Sequence, residues 1–161
     1  MTNHKDQDKS IETNLNELDE TIQILFKHAI DQLDVSYAPY SDFNVGAALL
    51  LESGDIVVGC NQENASYPLC MCAERVALYN AGSNFPNQQI KALVITCRNN
   101  HKPIEGPVSP CGACRQVIHE FGLKQDYHFP IYLSVVDSDI VYQFKSIKEL
   151  LPYSFDKTFL Q

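Results

Sequence analysis

Two short segments carry the residues best suited to chemistry: Cys72-Ala73-Glu74 and Pro110-Cys111-Gly112-Ala113-Cys114. Each precedes a pattern that reads as the opening of a helix, Ala73 to Ala81 in one case and the residues from Cys111 to Gly122 in the other. A thiol at a helix start faces unpaired backbone N–H groups and the positive end of the helix dipole. Both favour the thiolate, which is the metal-binding form. The two residues between Cys111 and Cys114 let both sulfurs reach one ion at about 2.3 Å, and Cys72 would supply a third. Three protein ligands leave one tetrahedral corner open, which distinguishes a catalytic zinc site from a structural one. Glu74 lies two residues beyond Cys72. It can sit beside the metal without binding it and carry protons for a bound substrate.

Other uses of these cysteines stand beside that reading. The chain has six: Cys60, Cys70, Cys72, Cys97, Cys111 and Cys114. No apolar segment follows a basic start, so a secretory signal is not expected, and metal binding or catalysis is the better use of the thiols than disulfides. Cys70 could join the other three sulfurs in a closed four-cysteine structural site. Cys111 and Cys114 could form a redox dithiol, although such pairs normally follow the first strand of a fold and this one comes late. Cys60 ends a strand and Cys97 follows one, so both read as small buried hydrophobes.

The elements that must position these groups follow from hydrophobic periodicity. Leu15, Leu18, Ile22, Leu25, Phe26, Ala29 and Leu33 recur at three- and four-residue steps, predicting an amphipathic helix from about Asn14 to Leu33. A turn-rich stretch around Pro39 leads into a predicted strand, Val45 to Leu51. Glu52-Ser53-Gly54-Asp55 then turns the chain back into Ile56 to Cys60. Ala92 to Thr96, Pro130 to Val136 and Ile140 to Phe144 complete five strands, and Ile147 to Leu151 reads as a short closing helix. This order predicts an α/β arrangement with a mixed central sheet. The 161 residues suit one domain, read as 21–161, behind an acidic, flexible extension over 1–20. That extension holds six acids and two lysines of a chain whose net charge is −8. An acidic chain without a basic stripe is not expected to coat nucleic acid or an anionic membrane. No apolar run is long enough to span a bilayer, so a cytoplasmic protein is expected.

Taken together, four segments closely resemble the small zinc-dependent cytidine deaminases. They are Tyr37-Ala38-Pro39-Tyr40-Ser41-Asp42-Phe43-Asn44-Val45-Gly46-Ala47-Ala48, Gly59-Cys60-Asn61-Gln62-Glu63-Asn64-Ala65-Ser66-Tyr67-Pro68, Cys72-Ala73-Glu74-Arg75 and Pro110-Cys111-Gly112-Ala113-Cys114-Arg115-Gln116. Leu150-Leu151-Pro152 resembles the family's closing segment, so the likeness runs from about residue 20 to 156. The resemblance implies a three-layer α/β/α fold with a five-stranded mixed sheet, and hydrolytic deamination of cytidine and deoxycytidine in pyrimidine salvage. It implies one zinc per chain on Cys72, Cys111 and Cys114, with Glu74 as proton shuttle. Phe43 would pack on the pyrimidine, Asn61 and Glu63 would bond ribose hydroxyls, and the Ala73 N–H would meet the pyrimidine carbonyl. Tyr67 and Phe155 would lie near a site completed by a neighbouring subunit of a homotetramer. Arg75 would bond the thiolates, a role charge counting also supports: zinc with three thiolates carries −1, which a guanidinium offsets.

Overall fold

The computed structural model describes residues 10–160. Among them, three helices flank one mixed sheet of six strands. In chain order the elements are β1 (Ile11–Asn14), α1 (Glu20–Val35), β2 (Phe43–Leu51), β3 (Ile56–Cys60), α2 (Ala73–Asn84), β4 (Ile90–Asn99), α3 (Gly112–Lys124), β5 (Ile131–Val135) and β6 (Ile140–Phe144), joined by short 3-10 turns. The sheet order is β1-β6-β5-β4-β2-β3. Only β4 and β5 run parallel, and α3 is the crossover between them. No helix among the described residues is long and apolar enough to cross a membrane.

The expected five strands are therefore corrected to six. The additional strand is β1, which pairs antiparallel with β6 from Ile11 opposite Gln143 to Asn14 opposite Ile140. Its side chains are mostly exposed, so it joins the sheet through backbone hydrogen bonds and leaves little hydrophobic signature. The part of the acidic extension from Ile11 onward thus belongs to the fold, while residues 1–9 lie outside the described residues. Helix α1 begins at Glu20 rather than near Asn14, because the Asp19 side chain caps it by accepting from the Thr21 N–H at 2.8 Å. The Leu15 N–H bonds the Asp139 carbonyl at 2.7 Å, which ties the approach to α1 onto the β5–β6 turn.

Strand alternation divides the core in two. Ala48, Ala92, Val94, Tyr132 and Val141 face α1 and meet Ile22, Leu25, Phe26 and Ala29. Ala47, Leu49, Leu93, Ile95, Ile131 and Leu133 face the other way, against Ala73, Ala77, Leu78 and Ile118 of α2 and α3. Helix α2 continues past Gly82 to Asn84, because that glycine makes room for the Phe121 ring of α3 rather than ending the helix. Gly122 likewise lies inside α3 and clears the His128 ring.

One close approach seats the helix that carries Cys72 and Glu74. A Cβ on Gly59 of β3 would stand 2.5 Å from the Ala77 nitrogen and 2.7 Å from the Ala73 oxygen, both backbone atoms of α2. Overpacking that only a backbone shift can relieve costs on the order of 3 kcal/mol. Gly59→Ala should therefore lower the melting temperature by about 6–12 °C, measured by calorimetry, a range that follows from a domain of this size. A shift below 2 °C would mean that α2 is seated by other contacts.

Candidate active site

The first turns of α2 and α3 point at one another. Cys72 is the residue before α2 and Cys111 the residue before α3, with Cys114 one turn into α3. Their three sulfurs lie within 4.8 Å of one another, with Cys72 to Cys111 at 3.9 Å and Cys111 to Cys114 at 3.5 Å. Ligands about 2.3 Å from a tetrahedral zinc stand roughly 3.8 Å apart, so these thiols are spaced to take the ion with little movement. Cys70 does not join them: its sulfur accepts from the Asn64 N–H at 3.2 Å. The closed four-cysteine arrangement thus lacks its fourth ligand.

The electrostatics of this cluster fit a dication. The Cys72 thiol is lowered to about 5, chiefly because its sulfur accepts from Cys114, and Arg75 adds to the effect against burial. Cys114 is pushed up by the same interaction, by burial and by the Glu74 charge. Without a cation, one thiolate forms at the expense of its neighbour, whereas a bound dication stabilises all three. The Arg75 Nη2 lies 3.8 Å from the Cys72 sulfur and 3.5 Å from the Cys70 carbonyl oxygen.

Glu74 is buried at 4% exposure in the first turn of α2, and its Oε2 has no hydrogen-bond partner. Burial raises its carboxyl to about 7, with the Cys72 charge adding to the effect. Cys97, buried in β4, is raised to about 11 by its own burial and by Glu74. A buried carboxylate oxygen without a partner is costly unless a ligand or ion completes it, so its place in a cleft makes Glu74 a candidate functional group.

Cys72, Glu74 and Cys111 line one cavity of about 410 Å³, together with Ser41, Phe43, Val45, Asn61, Glu63, Cys70, Ile95, Cys97 and Ser109. The expected residues Phe43, Asn61, Glu63, Cys72, Glu74 and Cys111 all face it. Buried Ala73 is the first residue of α2, so its N–H is one of the helix donors without an intrahelical partner. The Asn61 side chain accepts from the Val45 N–H at 2.8 Å and donates to the Phe43 carbonyl at 2.9 Å, clamping the start of β2. One amide hydrogen and one lone pair remain for a ligand. Tyr67 and Phe155 stay outside this cavity. Tyr67 is exposed, edge-on to Tyr40 across 5.7 Å, and Phe155 is exposed and stacked on Phe159.

Some contributors carry little sequence signal. Val45, Ile95, Cys97 and Val108 form an apolar wall that reads as ordinary core. Arg115 holds the loop before Cys111, donating to the Pro110 carbonyl at 2.8 Å, to Ser109 Oγ at 2.5 Å and to the Leu150 carbonyl at 2.8 Å. In the sequence, Arg115 is marked only by its place beside Cys114 in one of the four resembling segments.

The model of the cytidine and deoxycytidylate deaminase zinc-binding region matches residues 19–128. A cytidine deaminase of Sporosarcina psychrophila is 46% identical over 122 residues, covering 76% of this chain and 82% of the relative. One from Halalkalibacterium halodurans is 41% identical over 133 residues, covering 83% and 92%. Among solved structures, the cytidine deaminase of Burkholderia pseudomallei superposes with a TM-score of 0.70 at 39% identity, covering 83% of this chain and 98% of that one. The extent of the match, over the same two helix starts that gather the thiols, shows that the chain belongs to the cytidine and deoxycytidylate deaminase zinc-binding family.

Proposed function

We infer that this protein is a zinc-dependent cytidine deaminase that converts cytidine and water to uridine and ammonia, and deoxycytidine to deoxyuridine. The observation that carries this reading is the buried carboxylate of Glu74, its Oε2 without a partner, beside three converging thiols of which Cys72 and Cys111 share its cavity. In the mechanism we propose, Cys72, Cys111 and Cys114 hold the ion. Bound zinc supplies the Lewis acidity that makes water a nucleophile at neutral pH. Glu74 accepts the proton of the attacking water and delivers it to N3 of the base. It then takes the remaining proton from the hydroxyl added at C4 and delivers it to the amino group, which leaves as ammonia as the C4 carbonyl forms. Its carboxyl, raised to about 7, suits a group that must both take and give a proton. Phe43 packs on the pyrimidine, the Ala73 N–H bonds its carbonyl, and Asn61 and Glu63 hold the ribose. Arg75 offsets the surplus charge of three thiolates.

We extend the proposal to a single deaminase domain, expected over 21–161 and widened to begin by Ile11 because β1 pairs with β6, working as a homotetramer in the cytoplasm in pyrimidine salvage. Exposed Tyr67 and Phe155 would then be covered by a neighbouring copy close to the site.

Two measurements test the assignments. The purified protein should hold about one zinc per chain. Cys111→Ala should abolish metal retention, whereas Cys70→Ser should leave zinc and turnover nearly intact. Zinc loss in the Cys70 variant would restore the structural four-cysteine site. Glu74→Gln is nearly isosteric and should keep its zinc, yet lose about 10⁴-fold in single-turnover conversion of cytidine followed by ultraviolet absorbance. Near-normal turnover would assign the proton to another residue. Loss of metal would make Glu74 a ligand or a structural support.

A further inference from the structure

The turn between α1 and β2 makes a network that a simple connector would not need. Tyr40 and Ser41 donate their backbone N–H groups to Glu63 Oε2 at 2.8 and 3.3 Å. The Ser41 hydroxyl donates to Glu63 Oε1 in a short hydrogen bond. The same hydroxyl oxygen accepts from the Phe43 N–H at 3.1 Å. With the Phe43 N–H on one of its two lone pairs, the hydroxyl donates its own proton to the carboxylate. Burial alone would raise the Glu63 carboxyl, but the bonds from Ser41 and Tyr40 outweigh it and hold the group below its ordinary value. A carboxylate offers about four acceptor positions, and these three bonds leave one for a ligand hydroxyl.

The turn is itself anchored. Asp42 has a left-handed backbone at φ 54°, and its carbonyl and carboxylate receive the Asn100 side chain at 3.3 and 3.0 Å. The Ser41 hydroxyl is therefore presented from a turn held to β4's exit rather than from a free loop. Ser41 and Glu63 both line the 410 Å³ cavity and also an adjoining hollow of about 310 Å³ with Tyr40, Tyr67 and Cys70. An unrestrained glutamate at this half-exposed place would lose side-chain entropy each time it engaged a sugar.

We propose that Ser41 is a positioning residue for ribose recognition: its hydroxyl, oriented by the Phe43 N–H, holds Glu63 charged and in one orientation for a sugar hydroxyl. This rests on reading the cavity as a nucleoside site.

Turnover of cytidine by the unaltered protein, measured first, tests that underlying reading separately. Ser41→Ala should then raise KM for cytidine about tenfold with kcat within about twofold, the size expected for a hydrogen bond to a charged group. For 1-methylcytosine, which has no sugar, kcat/KM should change by less than about twofold, because no contact to Glu63 is at stake. Ser41→Thr keeps the hydroxyl and should stay within about threefold of the unaltered protein. In a Glu63→Gln background, Ser41→Ala should add less than about twofold, since the two residues act as one unit. Zinc content and melting temperature verify that each variant is folded. An unchanged KM for cytidine would overturn the proposal. So would equal losses for cytidine and 1-methylcytosine, a threonine variant as impaired as alanine, or additive effects in the double variant.

Discussion

Three sulfurs held within 4.8 Å of one another are the constraint around which the rest of this molecule is arranged. Neighbouring thiols compete for protons, as the opposite shifts of Cys72 and Cys114 show. A cation must reward their meeting, and rigid elements must bring them together before it binds. The fold provides both ends of this. Helix α2 is pressed onto β3 through Gly59, and α3 is bound to α2 through Gly82 and Phe121. The two helix starts cannot drift apart without disturbing backbone contacts or the core that Ala73, Ala77 and Ile118 share with the sheet.

What the sequence reveals of this arrangement depends on how local each feature is. The thiols and Glu74 sit in contiguous motifs at helix starts, so residue type and spacing suffice to find them. The strands from β2 to β6 announce themselves through apolar runs and turn residues. Strand β1 does not, because Ile11–Asn14 exposes most of its side chains and is recruited by the backbone of β6. Gly82 and Gly122 resemble helix stops in sequence, yet each serves a side chain that arrives from elsewhere, Phe121 and His128. The apolar wall of Ile95 and Cys97 is equally hidden, since nothing in a buried strand tells which part of it faces a cavity.

The same distinction separates the two polar partners expected on the sugar. Asn61 has half of its amide engaged in closing β2 onto β3, so its structural role and its proposed binding role would fall to different hydrogens and lone pairs of one group. Glu63 instead draws its order from a turn some twenty residues earlier, through Tyr40 and Ser41. Phe43 and Asn61, the residues proposed to meet base and sugar, are thereby mounted side by side at the same end of one antiparallel pair, β2 and β3, next to Gly46 opposite Cys60.

Charge balance explains why Glu74 has no salt bridge. A lysine or arginine beside it would stabilise the carboxylate and hold its proton affinity too low for a group that must also donate. The nearest guanidinium, Arg75, is directed instead to the Cys72 sulfur at 3.8 Å, where it serves the thiolates. For Glu74, burial is the largest influence and pulls its carboxyl up to about 7, with the Cys72 charge adding to it and the Arg75 charge opposing it. A dication held by the neighbouring thiols would pull it the other way. Balanced between these two influences rather than fixed by a permanent partner, the carboxylate keeps both protonation states accessible, which proton transfer in two directions requires.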